Sequence, residues 1–118
     1  MLDFLKKIFT YKKKELEVKL RPTSECTHGG VAEIEVEYWS DETISYEVSM
    51  KHSNFADGTQ LEFVSGTRTI ATVTTSNGYV KHSEYKIAPG QFPDIKIGDE
   101  AQVRVNEEVL YKGNFRRD

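Results

Sequence analysis

Residues 60–87 read QLEFVSGTRTIATVTTSNGYVKHSEYKI. Leu61 and Phe63 alternate with Gln60 and Glu62, the period of two that marks a half-buried strand. Ser65-Gly66-Thr67 interrupts the run, and Gly66 supplies the positive φ that a tight hairpin turn requires. Residues 68–75, RTIATVTT, are rich in β-branched side chains, which suit a pleated strand. Ser76-Asn77-Gly78 follows, and Asn-Gly between two β-type runs is a strong short-range hairpin signal. Residues 79–87 then return. The stretch is expected to be a three-stranded meander, with Asn77 and Gly78 at positive φ in a type I′ turn that sets its register.

The flanking sequence repeats this alternation. Residues 15–20 put Leu16, Val18 and Leu20 on one face. Residues 31–38, VAEIEVEY, turn Ala32, Ile34, Val36 and Tyr38 inward and Glu33, Glu35 and Glu37 outward. After a turn at Ser40-Asp41-Glu42, residues 43–51 alternate again through Ile44, Tyr46, Val48 and Met50, so these two strands should form a hairpin. Residues 21–30, with Pro22 and Gly29-Gly30, and residues 53–59, closed by Asp57-Gly58, read as loops. Residues 88–98 hold Pro89 and Pro93 and read as a crossing loop. Residues 101–106 and 109–115 are the last two strands, joined at Asn106-Glu107-Glu108. About eight short strands at this spacing predict an all-β, antiparallel two-sheet sandwich over residues 15–118.

Residues 1–14 read differently. In MLDFLKKIFTY, Met1, Leu2, Phe4, Leu5, Ile8, Phe9 and Tyr11 share one half of a helical wheel, and Asp3, Lys6, Lys7 and Thr10 share the other. Lys13 and Lys14 continue the polar side and Lys12 breaks it. The pattern predicts a short amphipathic helix and linker, too short to be stable alone in water.

Composition bounds the rest. A chain of 118 residues has room for one core. Cys26 is the single cysteine, so no disulfide can form within the chain, and a reducing compartment follows. The net charge of −3 is uneven: residues 1–14 carry five lysines against Asp3, a net of +4, leaving −7 for the remainder. An acidic body disfavours nucleic acid, whose binding rests on neutralising phosphates. No apolar run approaches the length of a membrane span, and Lys6 and Lys7 interrupt any signal-peptide core.

From Asp57 onward the chain resembles a group of small bacterial β-sandwich proteins without an assigned activity. The matching pieces are Asp57-Gly58-Thr59 with Leu61, Gly66 with Ile70, Gly78, Pro93 with Gly98-Asp99, Val103, and Val109-Leu110 with Gly113 and Phe115. A more distant similarity is to CHRD-type sandwiches. The resemblance implies a β-sandwich and no activity to carry over, and the metal-binding histidines of superoxide-dismutase-like sandwiches have no match here.

Candidate chemistry is sparse. Cys26 and His28 could both ligate zinc, but His52 and His82 are remote in sequence, and a small loop thiol is the better reading. Asp41-Glu42, Asp57, Asp94 and Asp99-Glu100 could offer oxygen ligands to Ca²⁺, yet none has the spacing of a calcium loop, and Asp supports turns without metal. Glu33, Glu35 and Glu37 read as a solvated face that blocks edge association. Tyr38-Trp39 could stack a sugar, although such aromatics more often close a core edge. No catalytic, cofactor or metal residue is therefore assigned.

The sharpest feature is the N-terminal stretch. Leu2, Phe4, Leu5, Ile8 and Phe9, with Lys6, Lys7, Lys12, Lys13 and Lys14, form the candidate interaction surface. The expected function is a non-enzymatic, cytoplasmic binding or scaffold module whose helix docks on the domain or on a second subunit. A peripheral protein held on the anionic inner face of the membrane by residues 1–14 is the second reading. A weak sugar-binding domain or enzyme is the third.

Overall fold

The computed structural model describes residues 10–118. These form nine strands: β1 Lys12–Pro22, β2 Val31–Trp39, β3 Ile44–Lys51, β4 Gln60–Ser65, β5 Arg68–Thr74, β6 Val80–Ile87, β7 Glu100–Val105, β8 Glu108–Asn114 and β9 Arg116–Arg117, with a 3-10 turn at Pro89–Gln91. All pairings are antiparallel, in the order β5-β4-β7-β8-β1-β2-β3-β6, with β9 on β1. The sheet curls almost closed, in the manner of a barrel, with β5 and β6 at the two ends of the path. β1 pairs β2 from Lys12 to Leu20 and β8 at Arg21 and Pro22. Because β1 belongs to both halves, the ladders do not separate them into the two sheets of a sandwich.

Alternation builds the core. Leu16, Val18 and Leu20 of β1 meet Ala32, Ile34 and Val36 of β2 and Val48 and Met50 of β3, all buried. Leu61 and Phe63 of β4 and Ala101 and Val103 of β7 supply the other half. Each fully buried side chain of this size contributes about 1.5–3 kcal/mol. The β2–β3 turn is fixed locally: Asp41 Oδ1 accepts from the Thr43 N–H at 3.0 Å and from its hydroxyl at 2.6 Å, and Glu42 takes φ 71°.

Three expectations are corrected. The stretch 60–87 is not a meander. β4 and β5 form its hairpin, but β6 leaves to pair with β3, and an isolated bridge between Ser76 and Tyr79 is all that remains of the second hairpin. The turn itself is present, with Asn77 at φ 55° and Gly78 at φ 70°. The preceding loop captures it: Asp57 Oδ1 accepts from the Asn77 N–H at 2.7 Å, and the Ser53 hydroxyl donates to the Gly78 carbonyl at 2.7 Å. So anchored, Asn77-Gly78 is a corner that sends the chain from one half of the sheet to the other.

The boundary at residue 14 is also displaced. Lys12, Lys13 and Lys14 belong to β1 rather than to a linker, since Lys12 and Lys14 pair with Trp39 and Tyr38 and an irregularity between them absorbs Lys13. Thr10 and Tyr11 are not helical; the Tyr11 N–H donates to the Ser40 hydroxyl at 2.9 Å, which holds the chain extended. The remainder of the expected helix, with Leu2, Phe4, Leu5, Lys6, Lys7, Ile8 and Phe9, lies outside the described residues. Finally, the last strand divides at Phe115, which is buried, and Arg116–Arg117 returns to β1 as β9.

Two glycines separate backbone strain from enclosure. Gly66 (φ 61°) faces open space, whereas a Cβ on Gly78 would come within 1.9 Å of the Ser53 carbonyl oxygen. Gly66→Ala should cost about 1 kcal/mol from left-handed strain alone. Gly78→Ala should cost about 3 kcal/mol, because strain and a backbone clash add. Urea denaturation checks this, and equal losses would contradict the corner described here.

Candidate functional site

The end of the sheet where β2 turns into β3 gathers the most varied side chains. Tyr38, opposite Ile44, points inward, and Trp39 follows on the other face. Three lysines of β1 meet this end. Lys12 Nζ lies 2.8 Å from Glu15 Oε2 and 3.4 Å from Glu37 Oε2. Lys13 Nζ lies 3.4 Å from Glu42 Oε1. Lys14 Nζ sits 4.6 Å from the centroid of the Tyr38 ring, a cation–π contact.

Two cavities open here, and Trp39 and Thr43 line both. The first, about 540 Å³, is walled by Lys13, Lys14 and Tyr38 on one side and by Ile44, Phe92 and Pro93 on another, with Glu42 and Asp94 also lining it. The second is a largely apolar groove of about 260 Å³ between Trp39 and Tyr85, bounded by Thr10, Ser45 and Lys86. Tyr85 is 71% exposed. The Tyr38 hydroxyl and the Trp39 indole nitrogen are buried, and neither has a hydrogen-bond partner among the described residues. Burial, and then the charge of Asp94, push the Tyr38 phenol above its ordinary range.

No protein-family model, no curated protein and no solved structure matches this chain. The site is therefore read from its geometry.

The outer face of β1, β2 and β3 is the second feature. Pairing aligns Arg116, Glu17, Glu35, Glu47 and Ser83 in one row across five strands. Arg116 holds Glu17 through Nε at 2.9 Å and Nη2 at 2.6 Å, and the Ser83 hydroxyl donates to Glu47 at 3.4 Å. Like charges directly opposite destabilise a sheet. Accordingly, burial and then the charge of Glu33, with Glu15 and Glu47 further off, push the Glu35 carboxyl up to about 7. Carboxylate oxygens of Glu17, Glu33 and Glu35 lie within 4.8 Å of one another, a donor set suited to a hard cation.

The other candidates are not assembled. His28 stacks on Phe55 at 4.1 Å and shares a hydrogen bond of 3.0 Å with Asn54, which gives its ring a packing role. Cys26 is half-buried. Asp57 and Asp99 accept from backbone N–H groups, as Asp41 does, which is turn chemistry. His82 Nε2 lies 3.6 Å from Glu84 Oε1, and burial and then Glu84 push Tyr46 up to about 12, but neither cavity above is lined by these residues. The sequence reading missed Phe92, Pro93 and Asp94 as a cavity wall. The available signal was an aromatic set among prolines in an otherwise polar loop.

A raised carboxyl pKa fixes the sign of a pH effect. Folded Glu35 holds its proton from its ordinary value near 4.5 up to about 7, so stability falls as pH rises through that window. Glu35→Gln should flatten this fall and gain on the order of 1 kcal/mol at pH 8, after allowance for solvent screening. Urea denaturation at pH 5 and pH 8 checks it; a variant less stable than the parent at pH 8 would show that the carboxylate is held by favourable contacts.

Proposed function

We propose that this chain is a non-enzymatic binding module, its two half-sheets packed as the layers of a sandwich, and that residues 2–9 are its attachment segment. The observation that carries this reading is the groove between Trp39 and Tyr85, which begins at Thr10, the residue that follows the segment. Leu2, Phe4, Leu5, Ile8 and Phe9 are thus tethered beside an apolar surface, at the high effective concentration that a short linker confers. The occupant is this segment, from the same chain or from a second copy. The likeness to small bacterial β-proteins adds no activity to this reading.

The ion pairs narrow the attachment segment. Lys12 and Lys13 already face carboxylates and Lys14 covers Tyr38, so the lysines left to meet an outside partner are Lys6 and Lys7. That supports protein over an anionic membrane surface, which remains the second reading. Among the described residues, no helix is long and apolar enough to cross a membrane.

Trp39 is the single tryptophan and reports on the groove. The double variant Leu5→Asp, Phe9→Asp should shift Trp39 emission to the red and cost about 2 kcal/mol of stability. If a second copy supplies the segment, both effects should grow with protein concentration. Unchanged emission and stability at every concentration would sink the reading. Co-sedimentation with anionic vesicles that depends on Lys6 and Lys7 would move the attachment to lipid.

A further inference from the structure

The first cavity has features that packing does not explain. Its volume of about 540 Å³ lies in the range of small-molecule sites. Two donors at its edge, the Tyr38 hydroxyl and the Trp39 indole N–H, are buried without a partner among the described residues. A buried polar group left unpaired is costly, and an indole N–H can only donate. What completes this site must therefore bring acceptors.

Charge and shape restrict those acceptors further. Among the described residues, Lys14 forms no ion pair, and its ammonium stands over Tyr38, whereas Lys13 is matched by Glu42. One unmatched cation favours an anion. Asp94, on the cavity wall, opposes a multiply charged one. Opposite the donors stand Ile44, Phe92 and Pro93, a flat apolar wall suited to a ring. We propose that this cavity binds a small aromatic monocarboxylate, its carboxylate held by Lys14, Tyr38 and Trp39 and its ring against Ile44, Phe92 and Pro93.

Benzoate is the probe, titrated into the full chain and read by Trp39 emission. A saturable change is expected. Benzyl alcohol, which keeps the ring without the charge, and inorganic phosphate, which keeps charge without the ring, should each bind at least tenfold more weakly, the loss expected for one charge-assisted hydrogen bond. Lys14→Met and Tyr38→Phe should each weaken benzoate about tenfold. Lys14 is exposed, and Tyr38→Phe removes a hydroxyl with no partner, so neither should lower the melting temperature. Tyr85→Ala alters the neighbouring groove and should leave benzoate affinity unchanged, which separates this site from the attachment of residues 2–9. The proposal is overturned by the absence of a saturable response, by equal binding of benzyl alcohol or phosphate, by undiminished affinity in both Lys14 and Tyr38 variants, or by loss of binding in Tyr85→Ala.

Discussion

Strand β1 hydrogen-bonds to both halves of the molecule, and the rest of the fold depends on that. One edge runs along β2 from Lys12 to Leu20. The other meets β9 at Leu16 and Glu17 and β8 at Arg21 and Pro22, and the contact continues where the Thr23 N–H donates to the Leu110 carbonyl at 2.9 Å. The two partners can come this close because residue 113 lacks a side chain: a Cβ on Gly113 would stand 2.4 Å from the Lys19 carbonyl oxygen and 2.6 Å from Val18 Cγ2. Val18, Leu20 and Tyr111 are all buried at this junction. Strands β4, β5 and β7 reach β1 through β8 alone, so their packing rests on this approach.

The same strand organises the charges. Alternation that buries Leu16, Val18 and Leu20 must turn Glu15 and Glu17 to the outer face, beside the glutamates of β2. Lys12 and Arg116, which flank the strand pairing, relieve part of the repulsion at Glu15, Glu17 and Glu37. Glu35 lies in the middle of the row, beyond their reach, which is why the strain collects there. Lysines that read in isolation as a basic tail are thus the counter-charges of an acidic sheet, and the apolar residues 2–9 are left as the distinctive part of the N-terminus.

Faces were legible in the sequence, and partners were not. Period-two alternation identifies Leu16, Ile34, Val48 and Val103 as inward because it depends on neighbours along the chain alone. The positive φ at Asn77 and Gly78 was legible for the same reason. The destination of β6 was not, because it is set by Asp57 and Ser53, two residues whose grip on the turn requires the fold to exist. Lys12 to Lys14 misled because a helical pattern and a strand that begins at a bulge can share the same residues. The first cavity was half visible: Tyr38-Trp39 stood out, while Phe92 and Asp94 arrive from a loop some fifty residues later.

If β1 joins the two halves into one cooperative unit, the most direct measurement is native-state hydrogen exchange at the amides of Val48 in β3 and Val103 in β7, both fully buried, in the parent and in Gly113→Val. The account predicts that both amides exchange through the same global opening, and that the substitution lowers both opening free energies equally, by about 2 kcal/mol. A fall at Val103 with no change at Val48 would show that the halves open separately and would contradict it.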